Sequence, residues 1–443
     1  MSKAEPSLLL LPFAYPDYPR DRVQTHIERS ERALRDMGLR VAASLAVVVP
    51  DDVPAALAAL KTRDYDLIVA TLISWVEAPL FVATLRPFFG KPLLLWSHTT
   101  FEEGDTRWTM GALPAAGVLR ETLEEMRVPF RFVYGMPEEP HLVEQVRIYA
   151  RAAATARALA VARIGLFGYA SMGMYSGTVD HTQLRAQVGP EIEHLDQYLI
   201  VKRFEQITDS DARGMLSRRQ GWDVGAAVTE ADLLKSLRMY AAIGSLAREH
   251  KLDALTIKCQ YELSREFGLA PCLPLSLLGD EVVSSCEGDL PLVASQLMLH
   301  YLTGEPTSYG DLHHVEGNSI IWGACGFAPL SYAAGCPVIN KHTALYEGLL
   351  NSSPYKTGPV TLARLAAKGG GFKLHIATGE AVPPPAFREL GCPAYAITRV
   401  VMDGDVDHFM QHLGSQHYAI AYGHVAEELR ALCDLLGLEA VLS

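Results

Sequence analysis

Short aliphatic runs alternate with amphipathic stretches along the first third of the chain. Ser7 to Phe13 and Val41 to Val49 are aliphatic or β-branched, and between them the amphipathic stretch Arg22 to Met37 ends at Gly38. Asp66 to Thr71 and Pro92 to Ser97 continue the strand series, interleaved with helical stretches at Val53 to Lys61 and Ala78 to Arg86. Phe130 to Tyr134 closes it before an alanine-rich helix from His141 to Ala162. Strands alternating with helices of roughly 10 to 15 residues predict a doubly wound parallel sheet, whose ligands sit at the C-terminal strand ends.

A second α/β unit begins at Arg163. Its strand Ile164 to Phe167 is followed by the helical stretch Glu230 to His250, then by a strand, Ala254 to Ile257, that runs into Lys258-Cys259-Gln260-Tyr261. The apolar stretch Leu290 to Leu302 reads as its last helix. From Leu312 short strands and turns take over, punctuated by Gly369-Gly370-Gly371, Pro383-Pro384-Pro385 and Gly391-Cys392-Pro393. The pattern predicts an α/β protein with two tandem doubly wound Rossmann-like domains, residues 1–160 and 161–311. A smaller, mostly-β, barrel-like domain follows over residues 312–443.

Composition narrows the function. The chain has 443 residues, and 39 basic against 51 acidic side chains give a net charge of −12, with no stretch dense enough in Lys and Arg to track a phosphate backbone. Nucleic acid is excluded as a partner. No apolar segment approaches the roughly 20 residues needed to span a bilayer. The apolar run Leu8 to Leu11 breaks at Pro12, too short for a signal-peptide core, so a cytoplasmic location is expected. Seven cysteines without paired-knuckle spacing fit reduced thiols, and Cys286 reads as a buried packing residue.

The candidate chemistry lies in the second half. Glu287, within Cys286-Glu287-Gly288-Asp289, is followed 24 residues later by Asp311, within Tyr309-Gly310-Asp311-Leu312-His313-His314, and later by His417, within Ser415-Gln416-His417-Tyr418. Two carboxylates and an imidazole suit a divalent metal that handles oxygen-rich substrates. Glu287 is expected at the N-terminal end of the Leu290 helix, and Asp311 in a loop leading to the strand Ser319 to Trp322. His313 and His314 would face opposite ways on a strand, so at most one could join Asp311. Gly165 and Gly168, with Gly173 and Gly177, lack dinucleotide-binding spacing; they read as a turn that lets backbone approach a small ligand, with Met174 and Tyr175 as walls. Gln260 falls at a strand end, as do Arg20, Trp96, His98 and Trp108 of the first unit, where each could reach a sugar.

Three of these segments, in this order, resemble the L-fucose isomerase and L-arabinose isomerase superfamily: Arg163-Ile164-Gly165-Leu166-Phe167-Gly168 to Met172-Gly173-Met174, the Glu287 to Asp311 step, and His417-Tyr418 to Tyr422-Gly423-His424-Val425. The resemblance implies a metal-dependent aldose–ketose isomerase. Glu287, Asp311 and His417 would hold Mn²⁺, Glu287 and Asp311 would serve as acid and base through a cis-enediolate, and the substrate would be a free sugar. Gln260, Met174 and Tyr175 would line the sugar site. Arg20 and Trp96 would serve a neighbouring subunit's site, since relatives assemble as trimers or hexamers. Ala324-Cys325-Gly326 stands where the family carries His-Cys-Gly. That departure keeps open the same metal chemistry used for carbon–carbon cleavage or group transfer, and a non-catalytic sugar-binding protein is the other alternative. Without an Arg/Lys cluster or a P-loop, phosphorylated sugars are not expected.

Overall fold

Strand β1 (Ser7–Phe13) is buried at every position, as a near-continuous aliphatic run requires when helices cover both faces of a sheet. In the computed structural model, which describes residues 6–217, 221–342, 347–386 and 395–443, β1 pairs in parallel with β2 (Arg40–Ser44) and β3 (Leu67–Leu72). Strands β4 (Leu93–Ser97) and β5 (Arg131–Tyr134) extend the sheet in the order β2-β1-β3-β4-β5. The helices Val53–Thr62 and Ala112–Glu125 pack Ala56, Leu60, Ala115 and Leu119 onto Leu9, Leu11, Ile68 and Leu95 of one sheet face. This sheet belongs to one compact unit, Ala4–Arg157; the other spans Ala158–Ser443.

The second unit holds a four-stranded parallel sheet and a larger antiparallel one. The parallel sheet runs β9 (Val283–Cys286), β8 (Ala254–Ile257), β6 (Arg163–Phe167), β7 (Glu191–Leu195). The antiparallel sheet is built from β10 (Ser308–Glu316), β11 (Ser319–Ala324), β12 (Gly358–Lys368), β13 (Gly371–Val382), β14 (Tyr395–Met402) and β15 (His417–Tyr422). Its order, β12-β15-β10-β11-β14-β13, closes because β13 also pairs β12 along its whole length, and β16 (Glu439–Leu442) adds in parallel to β13. Closure removes the exposed edges an open sheet would present. Trp322, Tyr418, Phe409, Ile320 and Leu362 fill the interior. A mixed α/β fold with parallel sheets and a sheet-rich C-terminal region is therefore present.

Several local expectations change. Asp311 is not in a loop: the strand starts at Ser308, directly after the Gly304-Glu305-Pro306 break, and Asp311 pairs Gly323 on one side and His417 on the other. The C-terminal strands include long ones. β12 and β13 have 11 and 12 residues, joined by a tight turn in which Gly369 and Gly370 both take positive φ, as a two-residue hairpin demands. Gly391-Cys392-Pro393 lies outside the described residues. Among the described residues no helix is long and apolar enough to cross a membrane.

His98, just past β4, is buried in the first unit with its Nε2 2.8 Å from the Ser30 hydroxyl. Burial, followed by the neighbouring His26 and Arg29, pushes its pKa down to about 3. The unfolded chain then binds a proton that the folded chain refuses, between about pH 6.5 and 3, so stability is present at neutral pH and lost as pH falls through that window. We expect urea unfolding of the first unit to weaken from pH 7 to pH 5 by up to about 1.4 kcal/mol per unit, and His98→Gln to flatten the slope. A variant as pH-sensitive as the parent would remove His98 as the cause.

Candidate active site

The register of the closed sheet builds half of the site. Asp311 on β10 and His417, the first residue of β15, are direct cross-strand partners, which brings their side chains together on one face. His417 Nε2 lies 3.1 Å from Asp311 Oδ1 and 3.5 Å from Glu287 Oε2. The third member arrives from the parallel sheet, where Glu287 directly follows β9. Glu287 and Gly288 both adopt left-handed backbone, with φ of 68° and 69°. A Cβ on Gly288 would come within 2.2 Å of the Tyr169 carbonyl oxygen, so only glycine lets the link pass this closely under the loop after β6. The Ser171 amide of that loop donates to the Glu287 carbonyl at 2.7 Å.

Asp289 ties the pieces together. It caps the helix Leu290–Thr303 by accepting from the Leu292 amide at 3.0 Å through Oδ1. Its Oδ2 accepts from Arg364 Nη1 at 2.7 Å and from His417 Nδ1 at 2.9 Å. Asp289 and Arg364 are both fully buried. Arg364, midway along β12, also donates to the Ser176 carbonyl at 2.9 Å and so anchors the glycine-rich loop. With Nδ1–H committed to Asp289, His417 turns its other nitrogen toward the two carboxylates.

The charges are arranged around that nitrogen. Burial raises Glu287, and Asp311 and Asp289 raise it further against the opposing pull of His417, to about 7. Burial also works against Asp289, but Arg364 and His417 outweigh it and hold the carboxyl at about 2. For His417 burial would favour the neutral ring; Asp311, Asp289 and Glu287 override it and raise the imidazole well above its usual range. The side chains of His417 and Glu287 are 1% and 8% exposed, against 22% for Asp311, which marks the open side.

This donor set fits a divalent cation. Two carboxylates converge on an imidazole whose opposite nitrogen is fixed by a carboxylate, the arrangement that orients metal-binding histidines. A positive charge between the three groups relieves the crowding that raises Glu287 and His417. Oxygen and nitrogen donors suit a hard or borderline ion.

A second set of groups meets at the other oxygen of Glu287. Oε1 accepts from Gln260 Nε2 at 3.2 Å and lies 3.7 Å from Cys325 Sγ. The sulfurs of Cys259 and Cys286 and a Glu287 carboxylate oxygen all lie within 4.8 Å of one another. Cys286 Sγ is 2.6 Å from the Tyr309 hydroxyl. Contacts with Cys259 and Cys325, and then burial, raise the Cys286 thiol well above its usual range; the contact with Cys286 lowers Cys325, but burial and Glu287 outweigh it and raise that thiol to about 11.

The other sequence candidates divide. Gln260 is at the site, buried, with its amide oxygen lacking a hydrogen-bond partner among the described residues. Met174 stands at the rim, its sulfur 2.7 Å from Gln416 Nε2 beside His417, whereas Tyr175 is 94% exposed and walls nothing. His314 is exposed and the His313 ring lies over Gly323, so neither joins the trio. In the first unit Trp96 is a correction: it is fully buried and its indole N–H donates to the Gly135 carbonyl at 3.0 Å, which makes it a packing residue. Arg20 is exposed and lines a cleft of about 290 Å³ with Tyr15, Tyr18 and Val48. Asp289 and Arg364 went unread. An arginine inside the otherwise apolar run Leu362 to Ala367, and an Asp-Leu-Pro helix start, were the available signals.

Comparison with known proteins follows the same segments. Residues 351–443 match the family described as L-fucose isomerase, C-terminal domain. Over its length the chain is similar to proteins named sulfoquinovose isomerase. It is 24% identical to that of Alkalicoccus urumqiensis over 98% of this chain and 99% of the relative. It is also 24% identical to that of Clostridium sp. (strain MSTE9) over 99% of each, and to that of Priestia aryabhattai over 86% of each.

Removing Arg364 leaves Asp289 buried without its cation. Arg364→Met is expected to cost about 3 to 5 kcal/mol, read by chemical denaturation, although methionine preserves much of the volume. A loss under about 1 kcal/mol would show that the pair does not hold the site together.

Proposed function

We propose, from the match of residues 351–443 to the L-fucose isomerase C-terminal domain and the similarity to proteins named sulfoquinovose isomerase, that this chain is an aldose–ketose isomerase of the L-fucose isomerase and L-arabinose isomerase superfamily, working on a free sugar with a divalent metal, Mn²⁺. The observation that carries the reading is the convergence of Glu287, Asp311 and His417, with the far nitrogen of His417 locked by Asp289. Glu287, Asp311 and His417 are the residues that would hold the ion. When bound, it supplies a Lewis acid that acidifies the proton on the carbon next to the sugar carbonyl.

The protein's own groups do the rest. Two carboxylates in different surroundings, Glu287 buried and Asp311 on the open side, can take the proton from one carbon and return it to its neighbour through a cis-enediolate of the sugar. Gln260 holds Glu287 by one oxygen and keeps its unpartnered amide oxygen available for a sugar hydroxyl. Ala324, buried at the end of β11 in the core cluster with Ile320 and Trp322, is smaller and less polar than the family histidine would be. That favours a substrate unlike plain L-fucose or L-arabinose, and sulfoquinovose, the sugar in the relatives' names, is the first to test. We further propose a homo-oligomer in which Arg20 serves a neighbouring subunit's site.

Two measurements test this. Glu287→Gln should abolish turnover, and His417→Ala should lower bound metal by about tenfold or more in affinity; full Mn²⁺ retention in both His417→Ala and Asp311→Asn, by elemental analysis, would sink the ligand assignment. Isomerisation in D₂O should place deuterium on the product carbon that receives the proton. Unlabelled product, with turnover intact in Glu287→Gln and Asp311→Asn, would take the carboxylates out of the chemistry.

A further inference from the structure

Three strand ends deliver sulfur to one point. Cys259 lies just beyond β8, Cys286 ends β9, and Cys325 follows β11. β8 and β9 are paired in parallel with Ile257 opposite Cys286, so the first two thiols emerge side by side at the C-terminal edge of the sheet. All three are buried and none is in a disulfide. Cys259, Cys286 and a Glu287 oxygen lie within 4.8 Å of one another, and Cys325 Sγ is 3.7 Å from Glu287 Oε1. Zinc–sulfur bonds of about 2.3 Å in a tetrahedron put donors roughly 3.8 Å apart, so Cys259, Cys286 and Glu287 need shifts of about 1 Å or less to ligate, and Cys325 already stands at about that donor spacing from the shared carboxylate.

We propose that Cys259, Cys286 and Cys325, together with Glu287, form a second cation site that takes a thiophilic divalent ion, zinc or cadmium. Sulfur donors select such ions over the hard cations that suit carboxylates and imidazole. Each thiol that ligates releases one proton to solvent; three thiolates and the carboxylate carry four negative charges, so a divalent ion leaves the filled site with two net negative charges, facing His417 on the other side of Glu287. Because Glu287 belongs to both donor sets, a thiophilic ion withdraws it from the Asp311–His417 side. This last consequence, inhibition of turnover, rests on the isomerase reading; binding itself does not.

The test is cadmium binding to the metal-free full-length chain in a background with Cys336→Ser and Cys392→Ser, which leaves the three proposed ligands with Cys272 and Cys433 as the remaining thiols. Titration with Cd²⁺ alone should give an ultraviolet cadmium–thiolate charge-transfer band that saturates at one equivalent, with protons released to an unbuffered solution. Cys433→Ser, in the helix Ala426–Leu436, should leave the band unchanged, whereas Cys259→Ser and Cys286→Ser should each weaken affinity about tenfold or more. Circular dichroism verifies folding; should Cys286→Ser fail to fold, Cys259→Ser and Cys325→Ala carry the comparison. Absence of the band at one equivalent, or a band of unchanged affinity in the folded cluster variants, overturns the proposal. A protein that shows the band but turns over no sugar would separate failure of the isomerase reading from failure of this one.

Discussion

A single buried carboxylate holds the second unit's chemistry in register. Asp289 receives the helix Leu290–Thr303 through the Leu292 amide, strand β12 through Arg364 and strand β15 through His417. Three elements distant in sequence therefore share one anion, and each donor offsets part of the cost of burying it. The arrangement leaves His417 no freedom to rotate, because its inner nitrogen is spent. What the outer nitrogen meets is decided by geometry set elsewhere.

That geometry has two sources of unequal stiffness. The Asp311–His417 contact follows from strand pairing inside a closed sheet, where a one-residue slip would turn every side chain to the wrong face. Glu287 depends instead on a short left-handed link threaded beneath the Tyr169 carbonyl and fastened by the Ser171 amide. Ladder and link meet through side chains, at His417.

Much of this was legible in the sequence, for reasons that differ by residue. The parallel sheets announced themselves through aliphatic runs such as Leu8 to Leu11, and Glu287, Asp311 and His417 could be singled out by resemblance in motif. Asp311 was misread as a loop residue because nothing local shows that Tyr309-Gly310-Asp311 is flanked by two strands, one of them about a hundred residues away in sequence. Trp96 was misread because a strand end marks where ligands bind, but does not tell which side chains there turn inward. Asp289 and Arg364 escaped notice singly; their meaning is a relation between positions far apart. The meeting of Cys259, Cys286 and Cys325 is likewise a product of topology rather than spacing.

Glu287 also bears a cost that has nothing to do with its charge. A left-handed backbone costs a residue with a Cβ about 1 to 2 kcal/mol that glycine escapes, and Glu287 sits there at φ 68° while burying an acid. The chain therefore keeps a strained residue where the fold alone would prefer glycine. A glycine here would relieve the backbone but leave His417 facing one carboxylate fewer, so stability and chemistry pull this position in opposite directions.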